Sequence, residues 1–180
     1  MKKGLTLFFM PNLWRSKNTL YTFFTPKNLI LENNQIFLDE KLSNKDNVML
    51  FIAEKSKLLG ITDNEKELYN KLWEREKEYP TAVQDLIAVP HVKSDLIKTA
   101  KLLFIRLTEA VDWDSPDGFK VKSVFVILVP EKDAGQKHLE ILSKVAVSLL
   151  EEDFQSMILS MKTGDELIKY IKENLDGDLL

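Results

Sequence analysis

The 180-residue sequence contains no cysteine. That excludes a disulfide framework, a thiol nucleophile and any cysteine-ligated zinc or iron–sulfur site. Histidine is almost as scarce, with His91 and His138 the only two. They are not spaced as H-E-x-x-H, so no metal site is expected. Glycine numbers six, and none lies between Gly60 and Gly118. A glycine-rich phosphate loop or dinucleotide turn is therefore excluded from that stretch. A G-x-S-x-G elbow for a serine nucleophile is missing too. Long apolar runs are absent: the strongest covers residues 124–129, far too short to span a bilayer. Basic runs are absent as well. The 25 Lys and Arg against 28 Asp and Glu leave a formal charge of −3. Nucleic acid is accordingly not expected as a direct partner.

What is present is ordinary globular material. Apolar residues make up 44% of the chain and charged residues 29%, enough to build a sizeable core. The length predicts one compact domain, or a domain with an appendage. Residues 1–27 are aromatic-rich and without periodicity. Met1-Lys2-Lys3 followed by Leu5, Leu7, Phe8 and Phe9 has a superficial signal-peptide look. Pro11, Trp14 and Arg15 interrupt it and no small-residue cleavage site follows, so the segment reads as a non-targeting extension. The domain proper is expected over 28–180.

Within it, residues 28–42 read as extended segments around an Asn33-Asn34 turn. Ser43 offers an N-cap, Val48, Phe51, Ile52 and Leu59 recur at helical spacing, and Gly60 is placed to end that helix. Thr62 to Glu65 fits a capping box for a second helix, which carries Leu68, Leu72 and Arg75 and stops before Pro80. A polar loop over 79–85 leads to a short buried strand, Leu86-Ile87-Ala88-Val89. Strands are also predicted over 100–107 and 119–129, separated by the turn Asp114-Ser115-Pro116-Asp117-Gly118. A helix after Asp133 and two short helices follow, the last opened by the capping box Thr163 to Glu166. Together these predict an α/β layered domain with a mixed sheet flanked by helices.

Three residues stand out chemically. His91 follows Ile87-Ala88-Val89-Pro90, where proline removes a ladder donor and is expected to end the pairing. That presents His91 at a strand end, either as a reactive group or as a surface histidine without a role. His138 falls in the first turn of a predicted helix. There, orphan N–H groups favour a neutral imidazole and attract anions. It is also in phase with Ile141, Leu142 and Val145, which equally describes a core histidine. Arg75 lies in the charged run Glu74-Arg75-Glu76-Lys77-Glu78, which locally reads as a solvated face.

Four stretches in order change this. Leu72-Trp73-Glu74-Arg75-Glu76, Ile87-Ala88-Val89-Pro90-His91, Val111 to Gly118, and Lys137-His138-Leu139-Glu140-Ile141-Leu142 with Val145-Ala146 resemble one family. It is the fructose/mannitol-type enzyme IIA of the phosphoenolpyruvate-dependent sugar phosphotransferase system. The resemblance covers about residues 28–175. It implies a cytoplasmic phosphotransferase component acting in sugar transport, without cofactor or metal. His91 would become a phosphohistidine by accepting a phosphoryl group from HPr, and would pass it to a cysteine of a cognate enzyme IIB. A membrane enzyme IIC would be an indirect partner. His138 and Arg75 would complete the catalytic set, and Thr81 matches a Ser/Thr position that supports the phosphoryl group.

One stretch departs from the family. Where it reads [ST]-x-x-G-x-G-I-A-x-P-H, this chain has Thr81-Ala82-Val83-Gln84-Asp85-Leu86 before Ile87. Both glycines are replaced, which predicts a loop of different shape, with Asp85 bringing negative charge near the phosphoryl group. That loop and the N-terminal extension motivate a second reading, a regulatory IIA-like protein whose phosphorylation state controls a partner.

Overall fold

The computed structural model describes residues 31–133, 144, 147–149 and 151–174. The extension over 1–27, the predicted helix around His138 and residues 175–180 lie outside them.

Two long strands form the centre. β5 (Lys101–Asp112) and β6 (Lys120–Pro130) pair antiparallel. Both are near-continuous apolar runs, the pattern of strands buried on two faces. Leu102 to Ile105 and Val124 to Leu128 are fully buried. The turn between them is the predicted one, with Gly118 at φ +69° and its N–H on the Ser115 carbonyl at 3.0 Å. β1 (Ile36–Glu40) adds parallel to β5. On the far side β6 carries β3 (Leu86–Ala88) and β4 (His91–Ser94), both parallel to it, and β2 (Ala82–Gln84) closes that edge antiparallel to β3. The result is a six-stranded mixed sheet in the order β1-β5-β6-β3-β2, with β4 also on β6.

The helices sit in two layers. α1 (Lys45–Leu58) and α2 (Glu65–Glu78) cover one face with Val48, Met49, Ile52, Leu68 and Leu72. α3 (Glu152–Ser160) and α4 (Gly164–Asn174) cover the other with Phe154, Ile158, Leu167 and Ile171. The sheet thus separates two apolar cores, and the expected layered α/β domain is what forms.

Local predictions hold with small displacements. The first helix is capped by Asn44, whose side chain accepts the Asn47 N–H at 2.8 Å, one residue after Ser43. Gly60, at φ +68°, lies just beyond its end. α2 is capped by Asn64 rather than Thr62, and ends two residues before Pro80. The Thr163–Glu166 box is reciprocal, each side chain accepting the other's backbone N–H. Two expectations change. The loop over 79–85 contains the short strand β2. And pairing does not end at Pro90: the Pro90 carbonyl accepts the Ile127 N–H at 3.0 Å, and His91 pairs with Ile127. His91 therefore opens β4, at a strand end as expected, with pairing along β6 resuming just after the Val89-Pro90 interruption.

Candidate functional site

Helix α2 and the β3–β4 interruption face each other across a cavity of about 360 Å³. Arg75, His91, Thr81 and Asp117 line it, with Tyr79, Val83 and Phe119 among its apolar walls. Two of the predicted residues meet directly there. Arg75 Nε donates to His91 Nε2 at 2.9 Å, and Nη1 of the same guanidinium donates to the Tyr79 carbonyl at 2.9 Å. So Arg75 is not the surface ion-pair member that its charged run predicts. Its last-turn position in α2 lets one arm cap its own helix while another reaches the ring.

The other ring nitrogen, His91 Nδ1, lies 2.8 Å from the Val89 carbonyl. These two contacts define the tautomer. A guanidinium only donates and a carbonyl only accepts, so Nδ1 carries the proton and Nε2 the lone pair. The ring is half-buried, and burial pushes its pKa below the usual 6.5. The Val89 carbonyl works against this, and the Arg75 charge adds to it. The imidazole is therefore neutral at pH 7, with a nucleophilic lone pair on Nε2.

Thr81 is buried on the cavity wall, but its hydroxyl donates to Glu76 Oε2 at 2.5 Å. Asp85 does not line the cavity; its carboxylate accepts the Lys120 N–H at 3.3 Å. The acid that does line it is Asp117. Leu86 takes φ +67°, the left-handed conformation that glycine adopts without cost. Leucine in that conformation carries strain that a glycine would not. Nor does Leu86 occupy the cavity. His138 lies outside the described residues.

Sequence reasoning missed Glu76 and Lys45, which form a buried ion pair at 3.4 Å behind the cavity. The signal was there: Glu76 falls four residues after Leu72 and eight after Leu68, on the buried stripe of α2. Among the described residues no group of carboxylates and histidines could hold a metal ion.

Residues 29–174 match the family described as the phosphoenolpyruvate-dependent sugar phosphotransferase system, EIIA 2. The chain belongs to this family. EIIA domains are phosphotransferase components of that system, which fits a neutral, anchored imidazole beside an arginine. The chain is 33% identical over 128 residues to the PTS system fructose-specific EIIA component of Haloferax volcanii, covering 71% of this chain and 82% of that protein. It is 29% identical over 161 residues to the multiphosphoryl transfer protein of Escherichia coli O6:H1, covering 87% of this chain but 19% of the relative. The chain thus spans about a fifth of that longer protein. Among solved structures, the nitrogen regulatory protein IIA-Ntr of Neisseria meningitidis superposes with a TM-score of 0.74 at 28% identity, over 79% of this chain and 96% of that one. EIIA membership brings the expected fold with it. No helix among the described residues is long and apolar enough to cross a membrane.

Proposed function

We propose that this EIIA protein is a cytoplasmic phosphocarrier that takes a phosphoryl group from HPr on His91 Nε2. It then passes the group to a cysteine of a cognate enzyme IIB, for uptake of a sugar or sugar alcohol through a membrane enzyme IIC. The observation that carries this is the fixed tautomer, with Nδ1–H on the Val89 carbonyl and the Nε2 lone pair turned to Arg75. In the first step a P–N bond forms at Nε2 as phosphorus leaves the donor. Positive charge then develops on the ring, and the Val89 carbonyl at Nδ1–H stabilises it. One lone pair cannot accept a hydrogen bond and attack phosphorus together. Arg75 must release Nε2 as the phosphoryl group arrives, and its donor fork then meets the equatorial oxygens. His138, in the family's second histidine position, would supply a further donor. Thr81 would support the phosphoryl group through its place on the cavity wall. The chain needs no metal for this transfer between protein groups. The working unit is residues 28–180, supported by the matched span 29–174.

The test is incubation with phosphoenolpyruvate, enzyme I and HPr. Wild-type protein is expected to gain acid-labile phosphate and His91→Ala none. Phosphate on His91→Ala, or none on folded wild type, overturns the reading. The likeness to IIA-Ntr favours a second reading, a regulatory protein whose phosphorylation state controls a partner. Deletion discriminates: loss of sugar uptake supports transport, and unchanged uptake with altered partner binding supports regulation.

A further inference from the structure

We propose that Glu76 is a positioning residue for His91, acting through Thr81 and Val89; this rests on His91 being the phosphoryl acceptor. Glu76 is 3% exposed, on the apolar stripe of α2. A carboxylate taken out of water at such a position is costly unless its lone pairs are filled. They are filled by one residue above all. Oε2 accepts both the Thr81 N–H at 3.0 Å and the Thr81 hydroxyl at 2.5 Å, while Lys45 Nζ lies 3.4 Å from Oε1. Thr81 is thereby held at two points.

From Thr81 the chain of bonds runs on to the ring. The Thr81 carbonyl accepts the Val89 N–H at 2.8 Å, and the Val89 carbonyl faces His91 Nδ1 at 2.8 Å. Val89 lies in the interruption between β3 and β4, outside both strands. The following residue, Pro90, has no N–H, and only its carbonyl, on the Ile127 N–H at 3.0 Å, ties the segment to β6. The segment that orients the imidazole is thus held on one side by β6 and on the other by Thr81, and Thr81 is held by Glu76. Adjacent residues of one helical turn control both ring nitrogens: Arg75 touches Nε2, and Glu76 governs Nδ1 through two intermediates.

Lys45 extends the arrangement to the opposite wall. Its ammonium donates to the Trp113 carbonyl at 2.5 Å and lies 3.4 Å from Asp114 Oδ2. That turn continues to Asp117 and Phe119, which line the cavity. The buried pair therefore joins the two segments between which a phosphoryl group would enter.

The test uses unphosphorylated, ¹⁵N-labelled full chain at pH 8, with His91→Ala assigning the two histidines. Wild type is expected to show His91 as the Nδ1–H tautomer alone, and Glu76→Ala a mixture of tautomers. In phosphoryl acceptance from phosphorylated HPr, Glu76→Ala is expected to lower the rate at saturating donor by about 10- to 100-fold, since small misplacements of a reacting group cost that much. The apparent KM for HPr should hardly move. Glu76→Gln returns one acceptor to Thr81 and should fall between the two in both readouts. A folded Glu76→Ala with wild-type tautomer and rate overturns the proposal. If Glu76→Ala does not fold, Glu76→Gln decides: a wild-type tautomer and rate there overturn it equally. The tautomer measurement needs no phosphoryl donor. A shifted tautomer in a protein that HPr never phosphorylates would overturn the phosphocarrier reading and leave the positioning role standing.

Discussion

His91 is held neutral by burial before any partner arrives, and the sign of that effect sets its pH behaviour. Burial, with a smaller push from Arg75, places its pKa below 6.5. Phosphoryl acceptance is therefore expected to fall as pH drops, with the midpoint of that fall below 6.5. An NMR titration of the ring should show a midpoint below 6.5, and a midpoint above it would contradict the description of the site. The same shift has a stability consequence. Below about 6.5 the unfolded chain binds a proton at His91 that the folded chain resists. This residue thus lowers stability as pH falls through 6.5 toward the folded pKa, and its contribution to the slope fades above 6.5. Arg75→Gln removes the nearby positive charge, so the ring's midpoint should move up toward 6.5. Losing a preorganised donor should also slow transfer by about 100-fold or more, measured with phosphorylated HPr. His91 was legible from its place after the apolar strand as one of two open readings, whereas Arg75 was legible only as a member of the family's motifs. The Arg75–His91 contact spans sixteen residues of sequence, and no local pattern marks it. Glu76 was hidden in a run of alternating charges, although its phase with Leu72 betrayed it.

At the level of the element, β3 begins on a strained residue. Leu86, at φ +67°, pairs with Val121, and the register on β6 shifts between Leu86 and Ile87. A side chain in the left-handed region costs about 1–2 kcal/mol. Comparing Leu86→Gly with Leu86→Ala isolates this cost, because both variants lose the leucine side chain. In an ordinary strand glycine is worse than alanine by about 0.5–1 kcal/mol. Here the order should reverse, with Leu86→Gly the more stable by about 1 kcal/mol in urea unfolding. If alanine is the better residue, the strain is not there. The sequence marked this place by what it lacked, since the family's glycines are replaced, but it could not say which residue takes the turn. Elements were legible where burial was one-sided or complete: α1 and α2 by their stripes, β5 and β6 by their apolar runs. β2 was not. Ala82-Val83-Gln84 is three residues on an edge, too short to show a period. Caps were displaced by a residue or two because Ser43 and Asn44, like Thr62 and Asn64, are both competent.

The whole molecule is organised by the sheet, with the His91 cavity facing α2 and a second core beneath α3 and α4. This order of strands was not legible, because apolar runs say that strands are buried and not which neighbours they choose. One residue ties the second layer together. Arg106 on β5 is 5% exposed, pairs with Asp39 on β1 at 3.0 Å, and donates to the Leu159 carbonyl at 3.3 Å and to the Met161 carbonyl at the end of α3. Asp39 is 65% exposed on its side chain, so the ion pair itself contributes little. The carbonyls matter more: without Arg106 they would lose their donor in a half-buried place. Arg106→Met keeps the packing volume and removes the donors, and should cost about 1–3 kcal/mol. Urea unfolding should show a lower midpoint with an unchanged slope. The His91 titration should stay where it is in wild type, because no bond of Arg106 reaches α2 or the β3–β4 interruption. A shifted His91 midpoint in Arg106→Met would mean that the two layers communicate through the sheet. The expected result is that the α3–α4 layer sets stability, and that the site draws its geometry from the α1–α2 layer.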